Sequence, residues 1–202
     1  LIPRIHGTHP PILLLDVMGT LVFDPFYACV PPFFRMSFEQ LIREKHPTAW
    51  IEFELGVIDE AAFLPRFFQD ERPYDHRGLK EIMRTNYAWL PGMERLVSDV
   101  AAARVPMHAL SNYTPWYRMI EERTGLSRFV QWSFVSCDRG VRKPDPAAYL
   151  SAAKSLQRLP SECLFVDDRK HNCDAALAVG MPAILFQDAD QLRTELVCRG
   201  VL

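Results

Sequence analysis

Five short, largely apolar runs, each closing at or beside a polar residue, constrain this chain more than any other feature. Pro11-Ile12-Leu13-Leu14-Leu15 runs into Asp16, Pro106-Met107-His108-Ala109-Leu110 into Ser111, and Cys163-Leu164-Phe165-Val166 into Asp167. Trp132-Ser133-Phe134-Val135-Ser136 and Pro182-Ala183-Ile184-Leu185-Phe186 complete the set. A strand with one wet face alternates apolar and polar residues. An unbroken run of this length reads as a strand covered on both faces, as in a parallel sheet.

Helical stretches separate the runs. Gly92–Ala103 ends near a proline, Pro115–Arg123 ends at the C-cap candidate Gly125, and Asn172–Val179 ends at Gly180. Pro146–Leu156 opens on a proline suited to a first helical turn. Strands alternating with helices predict an α/β fold built on a doubly wound parallel sheet. The stretch from Pro25 to Trp89 breaks the alternation: it is rich in aromatics and shows no clear strand. It reads as helices around Phe33–Lys45, Thr48–Leu55, Asp59–Phe68 and Arg77–Ala88, with Asp59 as an N-cap. The expected organisation is a core made of residues 1–25 and 90–202, with a small helical cap of residues 26–89 inserted after the first strand.

Composition narrows the class. The 202 residues are 49% apolar and 24% charged, with net charge −2, so no strong field favours nucleic acid or an acidic membrane. No apolar run is long enough to span a bilayer. Cys29, Cys137, Cys163, Cys173 and Cys198 are odd in number, scattered and without a CxxC pair, which reads as reduced thiols rather than a disulfide framework or zinc site. The chain begins at Leu1, as a mature or trimmed product would, and on its residues alone the reading is cytoplasmic.

In a doubly wound sheet, ligands sit at the carboxyl ends of the strands. Asp16, Ser111, Lys143 and the Asp167-Asp168 pair all fall there, or on the loop beyond, and so converge from four places in the chain. Each has an ordinary reading as a turn, cap or surface residue; together they suit phosphoryl transfer. A carboxylate such as Asp16 can attack phosphorus. A divalent cation held by oxygen ligands, with Mg²⁺ the natural choice, would screen attack on an anion. Ser111, Asn112 and Lys143 would hold and neutralise the transferring oxygens.

Asp16-Val17-Met18-Gly19-Thr20, Leu110-Ser111-Asn112, Arg142-Lys143-Pro144-Asp145-Pro146 and Phe165-Val166-Asp167-Asp168 resemble the four motifs of the haloacid dehalogenase-like superfamily, most of whose members are Mg²⁺-dependent phosphatases. The resemblance spans the chain and implies a Rossmann-like core with a helical cap of the first insertion type. It implies that Asp16 is a nucleophile that becomes an aspartyl-phosphate. The Met18 carbonyl, Asp16 and Asp168, with Asp167 beside it, would hold the metal. Thr20 would support the first motif loop, Ser111 and the Asn112 backbone would bind phosphate, and Lys143 would pair with nucleophile and phosphate. Asn172 occupies a supporting polar position.

Met18 is the departure. In most phosphatase members an Asp stands there, acting first as general acid and then as base; a thioether transfers no proton. Asp24, His46, Glu52 or a metal-bound water are the replacements open at this point. A narrower resemblance, to the plant plastid FMN hydrolase branch, rests on Asp24-Pro25-Phe26-Tyr27, His46-Pro47, Trp50-Ile51-Glu52-Phe53-Glu54, Gly56-Val57-Ile58-Asp59-Glu60, Asn112-Tyr113-Thr114-Pro115-Trp116-Tyr117 and the Lys143 motif. That branch also carries Met at this position, whereas Gly19 follows the broader superfamily pattern. It implies a small phosphorylated metabolite, FMN, as substrate and a chloroplast setting. Phe26, Tyr27, Trp50 and Trp116, nearest the motif loops, are the aromatic faces best placed to stack on a flavin.

Two other readings stand beside this one. A non-catalytic binding protein on the same scaffold has Met18 as its sole support. Cleavage of a C–P bond through a lysine Schiff base would need Lys45 or Lys80, the two cap lysines, and neither is expected in an apolar pocket.

Overall fold

The computed structural model describes residues 11–202; the first ten residues of the expected core segment, Leu1 included, lie outside the described residues. Five parallel strands form one sheet: β1 (Ile12–Leu15), β2 (Met107–Ser111), β3 (Gln131–Val135), β4 (Cys163–Asp167) and β5 (Ala183–Leu185). Their order is β3-β2-β1-β4-β5. The chain therefore steps outward from β1 to β3, then returns to the other side of β1. The strand order reverses at β1, so the crevice lies beyond its carboxyl end, where Asp16 stands.

The helices are α1 (Pro25–Ala28), α2 (Val30–Phe34), α3 (Phe38–Glu44), α4 (Ala49–Glu54), α5 (Glu60–Phe63), α6 (His76–Asn86), α7 (Met93–Ala102), α8 (Tyr117–Thr124), α9 (Ser136–Arg139), α10 (Pro146–Ser155), α11 (Lys170–Ala178) and α12 (Ala189–Cys198). The apolar strands are explained by what covers them. Ile12 and Leu14 pack on one face with Ala148, Tyr149 and Ala152 of α10 and Ala176 of α11. Leu13 and Leu15 pack on the other with Leu96, Val97 and Val100 of α7 and Leu192 and Leu196 of α12. Neither face of β1 is wet, so polar alternation would have left unpaired groups inside.

The insertion between β1 and β2 is helical, as predicted, but more finely divided. The helix expected over Phe33–Lys45 is two. Arg35 ends α2 in the left-handed region (φ 55°), and the Ser37 side chain starts α3 by accepting the Gln40 N–H at 3.1 Å. The helix expected over Asp59–Phe68 stops at Phe63. Asp59 caps it, accepting the Ala62 N–H at 2.9 Å. Pro65 then supplies no N–H for a continued α-helix, and residues 64–66 tighten into a 3₁₀ turn. Gly125 caps α8 with φ 57°. Three helices were not anticipated, α1, α9 and α12. The Asp188 cap on α12, accepting the Gln191 N–H at 2.8 Å, and the spacing of Leu192 and Leu196 carried the α12 signal. All five cysteines are free. No helix among the described residues is long and apolar enough to cross a membrane.

The apolar core does not stop at the insertion. The cluster on the α7 side of the sheet runs without a break through Val22 and Tyr87 to Leu41, Phe53, Phe63 and Phe68. Phe53 is fully buried and stacks on Phe63 with ring centroids 4.7 Å apart. Phe53→Ala should therefore lower the unfolding free energy by about 3–5 kcal/mol. Because the cluster is continuous, urea titrations followed by far-UV circular dichroism and by tryptophan fluorescence should shift to the same lower midpoint.

Candidate active site

The loop after β1 is shaped to bring its polar groups back over the strand end. Val22 N–H and Leu21 N–H both donate to the Val17 carbonyl at 2.9 Å, and Gly19 N–H donates to Val22 O at 2.8 Å. This tight reversal needs a left-handed residue, and Gly19 supplies it with φ 79°. A side chain there would also collide, since a Cβ would lie 2.8 Å from Asp168 Oδ2. Gly19 thus lets the loop after β1 touch the loop after β4. Thr20 joins the same two loops: its buried hydroxyl donates to Asp16 Oδ2 at 3.3 Å and accepts the Asp168 N–H at 3.2 Å.

Lys143 lies at the centre. Only 2% exposed, it donates from Nζ to Asp16 Oδ1 and to Asp167 Oδ2, each at 2.7 Å. Burial alone would lower its ammonium, but the Asp16 and Asp167 carboxylates more than offset this and hold it above its ordinary range. Asp167, at 0% exposure, also accepts from Asn172 Nδ2 at 3.0 Å and from the Arg169 N–H at 2.7 Å. Its oxygens are therefore engaged in holding Lys143 and the start of α11. Asn172 is fixed in turn where α11 packs on α10: the Tyr149 hydroxyl donates to its carbonyl at 2.9 Å.

Asn112 does something its position after a strand did not reveal. Its side-chain oxygen accepts the Lys143 N–H and its amide nitrogen donates to the Lys143 carbonyl, both at 2.8 Å. The side chain clamps the Lys143 backbone, which leaves the backbone of Asn112 for the phosphate contact the sequence suggested. Beside it, the Ser111 hydroxyl is buried without a hydrogen-bond partner among the described residues. Asp168 Oδ1 and Asn172 Oδ1 are in the same condition. Native interiors rarely leave such atoms unpaired, and a bound cation or anion would relieve them; Asp168 and Asn172 line the adjoining cavity, and Ser111 does not.

The donor set fits a hard divalent cation. Asp16, Asp167 and Asp168 each offer a carboxylate oxygen within 4.8 Å of the others. Burial, with help from Asp167 and against the pull of Lys143, pushes the Asp16 carboxyl up to about 7. Burial also raises Asp168 despite the Arg169 guanidinium, 3.2 Å from its Oδ2. Carboxylates crowded and dried in this way are held in their charged form by a cation. Asp168, whose Oδ1 has no partner, is the freest ligand; Asp16 shares one oxygen with Lys143 and the other with Thr20, and Asp167 commits both of its oxygens to Lys143, Asn172 and the Arg169 N–H.

A cavity of about 370 Å³ opens from this trio under the helical insertion. Asp16, Met18, Asn112, Lys143 and Asp168 line its floor, and Phe26, Tyr27 and Trp50 line its wall, together with Phe63 and Phe67. Trp116 is not among the lining residues. It is 3% exposed and packs behind Trp50 with ring centroids 6.1 Å apart, so it supports the wall instead of facing a ligand. Of the three side chains considered for proton transfer, Asp24 and His46 line the cavity and Glu52 does not; Glu52 pairs with Arg66 at 2.8 Å. Lys80 pairs with Glu60 at 2.7 Å, but Lys45, expected outside any apolar pocket, lines the cavity within reach of the Phe26 ring. The expectation failed because the pocket is assembled from α1, α3 and the 64–68 turn, which adjoin Lys45 only in space.

One ion pair and one hydrogen bond tie the insertion to the sheet loops, and both were invisible in the sequence. Glu54, 3% exposed, accepts from Arg142 Nε at 2.5 Å, and the Tyr27 hydroxyl accepts from Arg169 Nη2 at 2.8 Å. The partners lie 88 and 142 residues apart, so no spacing rule finds them.

Residues 12–180 match the family model for haloacid dehalogenase-like hydrolase. A chloroplastic flavin mononucleotide hydrolase 1 from Arabidopsis thaliana is 47% identical over 191 residues, covering 95% of this chain and 78% of the relative. Among solved structures, a haloacid dehalogenase family enzyme from Bacteroides thetaiotaomicron in a magnesium complex superposes with TM-score 0.76 at 17% identity, covering 91% of this chain and 98% of that one. L-2-haloacid dehalogenase from Xanthobacter autotrophicus gives TM-score 0.64 at 18% identity, covering 96% and 85%. These two structural matches speak to the fold.

The raised Asp16 carboxyl makes stability depend on pH. Between its ordinary value of 3.8 and about 7, the folded state keeps a proton that the unfolded chain has released. Stability without metal should therefore fall as pH rises through that window. Added Mg²⁺ binds the charged form, so it should raise the melting temperature clearly at pH 7.5 and little at pH 5. Thermal melts with EDTA or Mg²⁺ at the two pH values check this.

Proposed function

The chain belongs to the haloacid dehalogenase-like hydrolase family, and from that premise we propose that it is a Mg²⁺-dependent phosphomonoesterase that converts flavin mononucleotide to riboflavin and phosphate. The observation that carries the phosphatase reading is the buried Asp16–Lys143–Asp167 arrangement at the floor of an aromatic-walled cavity. Similarity to the Arabidopsis relative supports the flavin substrate and, with it, a chloroplast setting. Residues 26–89 act as the cap and residues 1–25 and 90–202 as the catalytic core.

Asp16 is the nucleophile. Thr20 and Lys143 fix its carboxylate, and Lys143 lowers the repulsion between that carboxylate and an incoming phosphate. The unpartnered Ser111 hydroxyl and the Asn112 N–H bind the non-bridging oxygens. Asp16, Asp168 and the Met18 carbonyl would hold Mg²⁺, whose contribution is to neutralise charge on the transferring group. Attack forms the bond from Asp16 to phosphorus and breaks the bond from phosphorus to the ester oxygen. Water then releases phosphate and restores Asp16.

The leaving ribityl oxygen needs a proton that Met18 cannot give. Asp24 takes that role. It lines the cavity, and burial pushes it up to about 6 against the Phe26 N–H and Arg169, so a useful fraction is protonated near neutral pH. It also caps α1 by accepting the Phe26 N–H at 2.9 Å, a bond that asparagine keeps.

Phosphate release from FMN with Mg²⁺, beside sugar phosphates, nucleotides and phosphonoacetaldehyde, tests the assignment. Selective FMN turnover, lost in Asp16→Asn and with EDTA, is the expected result. A wild type as silent as Asp16→Asn, both still binding FMN, would make the protein a flavin binder. Asp24→Asn should lower kcat on FMN by about 10²-fold or more. Its loss on p-nitrophenyl phosphate, whose leaving group departs without a proton, should be much smaller; equal losses on both would remove Asp24 from proton transfer.

A further inference from the structure

Lys45 is the cation in the cavity that the chemistry above leaves unused. Among the described residues its Nζ makes no hydrogen bond and no ion pair. The other cavity cations are engaged: Lys143 with Asp16 and Asp167, Arg142 with Glu54, Arg169 with Asp168 and Tyr27. Lys45 is half-buried and sits 5.9 Å from the centroid of the Phe26 ring. Burial lowers its ammonium, and the nearby Glu54 carboxylate, itself bonded to Arg142, only partly restores it. An unpartnered ammonium dried by aromatic neighbours is unfavourable unless something completes it.

Its position is fixed by the backbone rather than by chance. Lys45 ends α3, donating its N–H to Leu41 O at 2.8 Å. It pairs across a short bridge with Phe68, flanked by His46 N–H to Phe67 O at 2.8 Å and Gln69 N–H to Glu44 O at 3.0 Å. Next to it, His46 Nδ1 accepts the N–H groups of Thr48 and Ala49 at 3.2 and 3.1 Å. That leaves the ring's Nε2 as the nitrogen that carries a proton. These two adjacent donors, held by the backbone bonds of the turn, line the cavity together with the aromatic rings of Phe26 and Trp50.

We propose that Lys45, seconded by His46, is the specificity-determining contact of this cavity: it receives the electron-rich carbonyl edge of a planar heteroaromatic whose phosphate lies on Asp16 and Lys143. The proposal rests on the flavin phosphatase reading, in which that edge is the dione side of the isoalloxazine ring. A sugar phosphate would leave Lys45 unpartnered, and a simple aryl phosphate would not carry the carbonyls. The site therefore selects by failing to complete this cation in the wrong complex.

The test pairs selectivity with a binding readout that needs neither turnover nor metal. Lys45→Met keeps the aliphatic stem and removes the charge, and every backbone bond that fixes the turn remains. The ratio of kcat/KM on FMN to kcat/KM on p-nitrophenyl phosphate should fall about tenfold or more, chiefly through KM for FMN. Riboflavin, which lacks the phosphate, should bind the variant more weakly by a similar factor, read by quenching of flavin fluorescence. Lys45→Arg, which keeps a cationic donor, should recover most of both effects. An unchanged ratio with unchanged riboflavin affinity overturns the proposal. So does an equal loss on both substrates with riboflavin binding intact, which would place Lys45 on the phosphate. If the wild type itself neither binds riboflavin nor turns over FMN, the flavin reading has failed and takes the proposal with it.

Discussion

The buried ammonium of Lys143 between Asp16 and Asp167 is the interaction on which the rest of the site depends. Three ionisable groups stand in a place almost closed to water. The attraction of the ammonium for the two carboxylates offsets part of their desolvation, and only while all three keep their geometry. Much of the surrounding structure maintains it. Asn112 grips the Lys143 backbone from both sides, Asn172 and the Arg169 N–H hold Asp167, and Thr20 holds Asp16 against the Asp168 loop. The parallel sheet makes this convergence feasible, because β1 and β4 are neighbours whose carboxyl ends point the same way.

The helical insertion is bound to this centre by two kinds of force. The apolar cluster continues from the sheet through Val22 and Tyr87 into Phe53 and Phe63. Over it, the Glu54–Arg142 and Tyr27–Arg169 contacts connect the insertion to the loops that carry Lys143 and Asp168. A ligand in the cavity touches groups from both sides. Binding at the floor and recognition at the wall are therefore parts of one mechanical unit, in which Arg142 neighbours Lys143 and Arg169 neighbours Asp168 in the chain.

Met18 fits the architecture of the loop after β1. Its backbone bridges to Val22 within the same tight loop that Gly19 permits. Its side chain adds an apolar surface to the cavity floor, and a thioether transfers no proton. Under the proposed phosphatase reading, transfer to Asp16 needs charge neutralisation and alignment, for which Lys143 and Thr20 are bonded to its carboxylate, and departure of a poor leaving group needs a proton, for which Asp24 and His46 line the cavity.

What the sequence determined by itself was the partition between water and core, and the turns that obey local rules. Unbroken runs such as Ile12–Leu15 can rest only between two covered faces; Asp59 and Gly125 cap helices through atoms three or four residues away; Asp16 follows β1, Ser111 ends β2 and Asp167 ends β4, so all three lie at the carboxyl ends of the strands. The same local logic failed where the deciding partner was distant. It did not show that Asn112 clamps Lys143, that Glu54 meets Arg142, that Trp116 turns inward behind Trp50, or that Lys45 lines the cavity. Hydrophobic periodicity and capping are written along the chain, within a turn or two of each residue. Which charge meets which is decided only when segments tens of residues apart are packed together, because burial and distance set the strength of those interactions.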